Sequence, residues 1–120
     1  MTRKTPHILV LGAGSVGKRH MQNLAALGCR VSALDPRQDR LEEASVSAGA
    51  EQCFSDLSAI DDWSGFCGVV IGSPPSFHID QTIAALEMQK PVLMEKPLAP
   101  SLDDALRLAE YQRSHPEAPP

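Results

Sequence analysis

Glu95-Lys96-Pro97 closes a short apolar run, Val92-Leu93-Met94. A lysine in that place has two readings. It is one half of a solvated ion pair with Glu95, or it is a cation aimed at a ligand. In the second reading Glu95 holds the lysine or contacts the same ligand. Pro97 then biases the lysine backbone away from the helical region. An ammonium so placed can donate to an alcohol or carbonyl oxygen and stabilise the negative charge that develops there. The triplet alone does not separate the readings; its surroundings must.

Gly12-Ala13-Gly14-Ser15-Val16-Gly17 is a GxGxxG pattern. It follows a short apolar run, His7 to Leu11, and opens a stretch with helical spacing, the context that gives the pattern meaning. Gly12 permits a tight turn, Gly14 lets backbone approach a pyrophosphate, and Gly17 lets a helix pack close to a strand. Free amides around Ser15 and Val16, at the helix start, point at phosphate oxygens, and the helix dipole favours the charge. A purely structural turn, or a loop serving a flavin or S-adenosylmethionine, is the competing reading. The strand–loop–helix context favours a dinucleotide.

Asp35 ends the second apolar run, about 20 residues beyond the loop, where a ribose-binding acid belongs. A carboxylate there accepts from two ribose hydroxyls and repels a 2′-phosphate, which favours NAD. Arg37 could hold such a phosphate, which leaves NADP open. Its bland reading is a solvated arginine at a helix start. After the fourth run comes Gly72-Ser73-Pro74-Pro75-Ser76-Phe77-His78. Two prolines stiffen this loop and remove backbone donors. Ser73 and Pro74 become candidates for a shelf under a flat ring. His78 reads either as a cofactor contact or as a partly exposed surface histidine.

These residues need a frame that gathers strand ends. Strand patterns fall over 7–11, 30–34, 51–54, 68–71 and 91–94. Helical spacing falls over 15–27, 37–48, 76–88 and from Ser101 onward, with one further turn over 56–60 capped by Ser55. In the 76–88 segment Ile79, Ile83, Ala84, Ala85 and Leu86 form the apolar stripe and Ser76 is the expected cap. In the last helix Leu102, Ala105, Leu106 and Ala109 are expected to face inward. Asp103 and Asp104 suit its first turn. Alternation with short connections predicts an α/β, Rossmann-type, doubly wound parallel sheet of about five strands in the order 3-2-1-4-5. Ligands of such sheets bind beyond the carboxyl ends of the strands, where every candidate residue falls.

Composition bounds the rest. The 120 residues suffice for one domain, 1–120, with a linker-like tail over 114–120. With 42% hydrophobic and 22% charged residues, the chain is not of the disordered class. A net charge of -4 argues against nucleic acid. No apolar run approaches a membrane span, and Ile8 to Leu11 is too short for a secretory leader. A cytoplasmic protein is the expectation. Cys29, Cys53 and Cys67 lack metal-ligand spacing and read as reduced, buried, small apolar side chains, with no metal site.

Together, GAGSVGKRH, the Asp35 strand end, SPPSFH and MEKPLA resemble the glucose–fructose oxidoreductase / inositol dehydrogenase (Gfo/Idh/MocA) family, over Ile8 to about Tyr111. The Glu-Lys-Pro triplet is the specific element. The resemblance implies an NAD(P)-dependent oxidoreductase acting on a sugar, a cyclitol or a related hydroxyl or carbonyl compound. It implies that Lys96 is the catalytic residue beside the nicotinamide, and that Glu95 contacts a cofactor ribose or fixes the lysine. It also implies a Lys96–Pro97 bond that can be cis. His20 matches a histidine common after the glycine loop, with helix packing as its expected role. Phe66-Cys67-Gly68 stands where the family usually has an acid. Family members continue into a sixth strand and a second, sheet-based substrate domain. The resemblance is thus to the cofactor domain alone, with those parts absent. The partners implied are the dinucleotide, a small carbohydrate-like substrate in the full-length protein, and another copy of the chain pairing at an exposed fifth-strand edge. The 120-residue chain by itself is expected to bind cofactor and turn over little. A free-standing, non-catalytic NAD-binding module is the alternative.

Overall fold

Residues 5–120 are described in the computed structural model of the protein. Residues 1–4, the start of the expected 1–120 domain, lie outside the described residues. Five short runs form strands: β1 (His7–Leu11), β2 (Arg30–Leu34), β3 (Cys53–Phe54), β4 (Gly68–Ile71) and β5 (Val92–Met94). All neighbouring pairs are parallel, in the order β3-β2-β1-β4-β5, as the alternating pattern predicts. The helices are α1 (Ser15–Ala26), α2 (Gln38–Ala48), α3 (His78–Glu87) and α4 (Leu102–Ser114).

Successive strand residues point to opposite faces, and the apolar runs fill both. Val10, Val31, Ala33 and Val70 meet Met21 of α1 and Leu41, Ala44 and Ala48 of α2. Leu9, Leu11, Leu34, Val69 and Ile71 meet Ile60, Trp63, Phe66 and Ala85 on the other face. Central strands buried on both faces explain the unbroken apolarity of β1 and β4. Ile79 and Leu86 of α3 pack with Leu108 of α4 against the β5 end of the sheet.

Several local expectations are corrected. β3 is two residues long, although the Glu51 amide still donates to the Val31 carbonyl at 2.9 Å. The turn over Leu57–Ala59 is capped by Asp56, whose Oδ1 accepts from the Ala59 amide at 3.1 Å, and not by Ser55. Ser76 caps nothing: it sits inside a 3-10 turn, Pro75–Phe77, and α3 proper begins at His78. The fixed φ of Pro75 and its missing N–H suit the first position of that turn. Ser101 does cap α4, its Oγ accepting from the Asp104 amide at 3.2 Å. The inward face of α4 differs from the predicted one. Leu102 and Leu106 are 74% and 54% exposed, whereas Leu108 is 7% exposed. Arg107, next to Leu108, reaches Asp80 of α3 at 2.7 Å on the exposed side of the contact.

The cysteines are free, but Cys53 and Cys67 are exposed and Cys29 is half-buried, so the expectation of three buried thiols fails. Cys53 lies in the two-residue edge strand β3, which has no neighbour on its outer side. The stretch read as a linker-like tail makes contacts with the domain. Ala118 packs against the α3–α4 cluster, and the Pro120 carbonyl accepts from the Val92 amide of β5 at 2.8 Å. The edge expected to be bare is therefore met at Val92 by Pro120.

Candidate functional site

The parallel strands deliver their carboxyl ends to one rim, and the connections from β1 and β4 leave it in opposite directions. The Gly12 amide donates to the Leu34 carbonyl at 2.7 Å, while the Gly72 amide donates to the Leu11 carbonyl at 2.8 Å. The chain after β1 thus crosses the chain after β4 at close quarters. Gly12 has φ +93, and a Cβ on it would lie 2.6 Å from the Ser73 amide nitrogen. A Cβ on Gly17 would lie 1.7 Å from the Gly12 carbonyl oxygen, so α1 can start this close only with a glycine there. Gly14 is different: a Cβ on it would make only ordinary van der Waals contact, with the Arg40 guanidinium 3.7 Å away. Gly14 and Arg40 both line a cleft of about 510 Å³.

One wall of the cleft is Gly12, Gly14, Ser15 and Val16. No side chain caps α1, whose N-cap is Gly14, and no acid stands in its first turn. The first-turn amides and the positive end of the dipole are left for an anion.

A second wall is the end of β2. Asp35, 2% exposed, is held by backbone: Oδ2 accepts from the Ala13 amide and Oδ1 from the Arg37 amide, both at 2.8 Å. Each carboxylate oxygen keeps a further lone pair. Arg37 lines the cleft, but its guanidinium is engaged by Asp39, with contacts of 3.1 and 2.7 Å. Arg40, which the sequence reading missed, is the arginine beside the acid: its Nη1 lies 3.7 Å from Asp35 Oδ2. It stands three residues beyond Arg37 on α2, a spacing that places both on the helix side nearest the rim.

The third wall is Ser73, Pro74, Pro75 and Phe77, with Gln81 behind them. The Ser73 hydroxyl donates to Gln81 Oε1 at 2.5 Å, another contact not read from the sequence. His78 is neither a surface histidine nor part of the cleft lining. It is 1% exposed, with Nδ1 2.8 Å from the Pro97 carbonyl oxygen and Nε2 2.8 Å from the Ser73 carbonyl oxygen. Gly17 also stays behind the lining, supporting the turn.

Glu95 and Lys96 complete the rim. The Glu95 amide donates to the Ile71 carbonyl at 2.9 Å, which ties the end of β5 to the end of β4. The Lys96–Pro97 bond is cis. Among the described residues the Glu95 carboxylate is hydrogen-bonded to His20 of α1 and makes no ion pair with Lys96; His20 Nε2 lies 2.6 Å from Glu95 Oε1. The His20 contact holds the Glu95 carboxyl below its ordinary range, with smaller help from the Lys96 amide and ammonium. Helix packing alone is thus too small a role for His20. Lys96 faces the cleft without a carboxylate partner among the described residues.

A cradle free of side chains, a helix start without competing caps, an anchored carboxylate and a rigid apolar shelf are the features a dinucleotide needs. The comparisons agree. A family model described as an oxidoreductase family, NAD-binding Rossmann fold, matches residues 7–118. Inositol 2-dehydrogenase of Streptomyces avermitilis is 37% identical over 108 residues, which are 88% of this chain and 32% of that protein. Inositol 2-dehydrogenase of Mycolicibacterium smegmatis is 39% identical over 105 residues, 82% of this chain and 30% of that protein. Among solved structures, scyllo-inositol dehydrogenase of Lactobacillus casei, with bound NAD(H) and scyllo-inositol, superposes with a TM-score of 0.83 at 27% identity. The match covers 96% of this chain and 35% of that one. The chain spans about a third of the length of the curated relatives it matches.

Proposed function

The chain belongs to the Gfo/Idh/MocA oxidoreductase family as its NAD-binding Rossmann domain, and on that premise we propose that it is the cofactor half of a dehydrogenase acting on a ring hydroxyl of a cyclitol or related sugar. One observation carries the reading: Lys96 opens into the same cleft as the glycine cradle and Asp35. The named activities of the relatives support the substrate class. A nicotinamide held in this cleft would supply hydride transfer at the substrate carbon. The amides at the start of α1 hold the pyrophosphate, and Asp35 accepts from adenosine ribose hydroxyls. Pro74 and Phe77 keep water off the flat rings. The Lys96 ammonium donates to the reacting oxygen and, as an amine, takes the hydroxyl proton in the opposite direction. Glu95, fixed by His20, meets the second ribose.

On this reading the 120 residues bind cofactor and turn over little, because the whole protein supplies the substrate contacts from a further domain. Among the described residues no helix is long and apolar enough to cross a membrane. The free thiols support a reducing, cytoplasmic setting.

Calorimetric titration with NAD, NADP and S-adenosylmethionine tests the cofactor reading. NAD should bind, and Asp35→Ala should weaken it by about ten-fold or more, the worth of hydrogen bonds to a charged group. S-adenosylmethionine should not bind. A chain that binds neither nicotinamide cofactor would overturn the proposal.

A further inference from the structure

His78 is one of the largest fully buried side chains of the protein, yet it is polar and both of its ring nitrogens are engaged. Nδ1 lies 2.8 Å from the Pro97 carbonyl oxygen and Nε2 lies 2.8 Å from the Ser73 carbonyl oxygen. A carbonyl oxygen only accepts, and a neutral imidazole has only one N–H. In either neutral tautomer one nitrogen lone pair would face an oxygen at hydrogen-bond distance. The imidazolium satisfies both contacts, and charged donors make the stronger bonds. Burial opposes the charge; two carbonyl dipoles aimed at the ring from opposite sides favour it.

The two oxygens belong to the two loops that carry the nicotinamide end of the cleft. Ser73 lines the cleft and Pro97 follows Lys96. No ion pair among the described residues includes His78. The charges nearest to it in sequence are Asp80 on its own helix, which Arg107 of α4 holds at 2.7 Å, and Lys96 beside Pro97 on the loop it grips.

We infer that His78 is a positioning residue: a buried imidazolium that clasps the loop after β4 to the loop after β5 and so sets the distance between the Ser73 shelf and Lys96. This rests on the cofactor reading only for its consequence, not for the clasp itself. Histidine would then be needed here for two opposed donors on a rigid ring, which neither asparagine nor glutamine can offer at this span.

The test begins without cofactor. In the ¹⁵N-histidine-labelled 120-residue chain at neutral pH, both His78 ring nitrogens should carry protons shielded from exchange. A His78 ring with one bare nitrogen at neutral pH overturns the clasp, whether or not NAD binds. His78→Gln and His78→Asn are then compared with wild type by the backbone amide spectrum and by NAD titration. The expected result is shifted resonances over 72–77 and 95–99, an unchanged β1–β2 core, and NAD affinity lower by at least about ten-fold. Wild-type affinity and unshifted loops in a folded variant would overturn the positioning role. Failure of the wild type to bind NAD would instead strike the cofactor reading, while the ring-nitrogen result stands on its own.

Discussion

The imidazole of His20 and the carboxylate of Glu95 are 75 residues apart in sequence and 2.6 Å apart in space. Their contact joins the helix that follows the glycine loop to the strand end that carries Lys96. It answers the question that Glu95-Lys96-Pro97 raises. Glu95 is not the counter-ion of Lys96; it is oriented from α1, and the lysine is left to face the cleft.

Removing His20 should therefore be felt at Glu95. The Glu95 carboxyl is held below its ordinary range mainly by the His20 hydrogen bond. A depressed carboxyl contributes stability that is complete above its unfolded value and is lost as pH falls through the folded one. In His20→Ala this acid-side contribution should shrink, and the Glu95 carboxyl should titrate at higher pH by ¹³C NMR. NAD affinity should fall by about 2- to 10-fold, the net worth of one hydrogen bond.

Asp35 and Arg40 should separate the two nicotinamide cofactors. Asp35→Ala strips the Ala13 and Arg37 amides of their acceptor, and should lower stability in urea unfolding by about 1–3 kcal/mol. Arg40→Ala leaves those bonds intact. It should weaken NADP more than NAD, because its guanidinium stands beside Asp35, the acid proposed to bind the ribose. Equal effects on both cofactors in calorimetry would remove Arg40 from 2′-phosphate recognition.

Gly17→Ala should be far more damaging than Gly65→Ala. The added Cβ at Gly17 would meet backbone at 1.7 Å, whereas at Gly65 nothing lies within 4 Å. A clash with backbone forces α1 away from β1 and costs about 3 kcal/mol or more. The Gly65 variant should lie within about 0.5 kcal/mol of wild type. Thermal melts of the two variants side by side check this.

His7 should make the fold sensitive to mild acid. It is buried, with Nε2 2.7 Å from Ser32 Oγ, and burial first and then Arg30 depress its pKa, against a smaller opposing effect of Glu51. Below the ordinary histidine value of about 6.5 the unfolded chain binds a proton that the folded chain refuses. Stability should therefore be level above that pH and fall as pH drops from there toward the folded value. His7→Gln should flatten this segment of a melting-temperature profile; an unchanged profile would exclude His7 as its source.

The sheet was legible because its signals are local. Alternation and unbroken apolar runs mark β1, β2 and β4, and short connections between them allow essentially one parallel order. The glycine loop was legible because its spacing is local, and Gly17 answers to the Gly12 backbone five residues before it; the Gly72–Ser73 backbone that crowds Gly12 was not. Helix faces were less so. In α4, Leu102, Leu106 and Leu108 offer two competing stripes, and only the neighbours decide which is buried; Leu108 is the one that meets Ile79 and Leu86 of α3. At the site, residue types were readable and partners were not. Glu95 could have met Lys96, Arg37 could have met a phosphate, and His78 could have faced solvent. The strand order instead brings His20 to Glu95 and His78 to the Pro97 carbonyl, while the turn from β2 into α2 puts Arg40 beside Asp35. Local sequence determines which residues stand at strand ends, because backbone periodicity is short-ranged. Which side chains meet across those ends depends on contacts spanning tens of residues, and these exist only once the sheet has assembled.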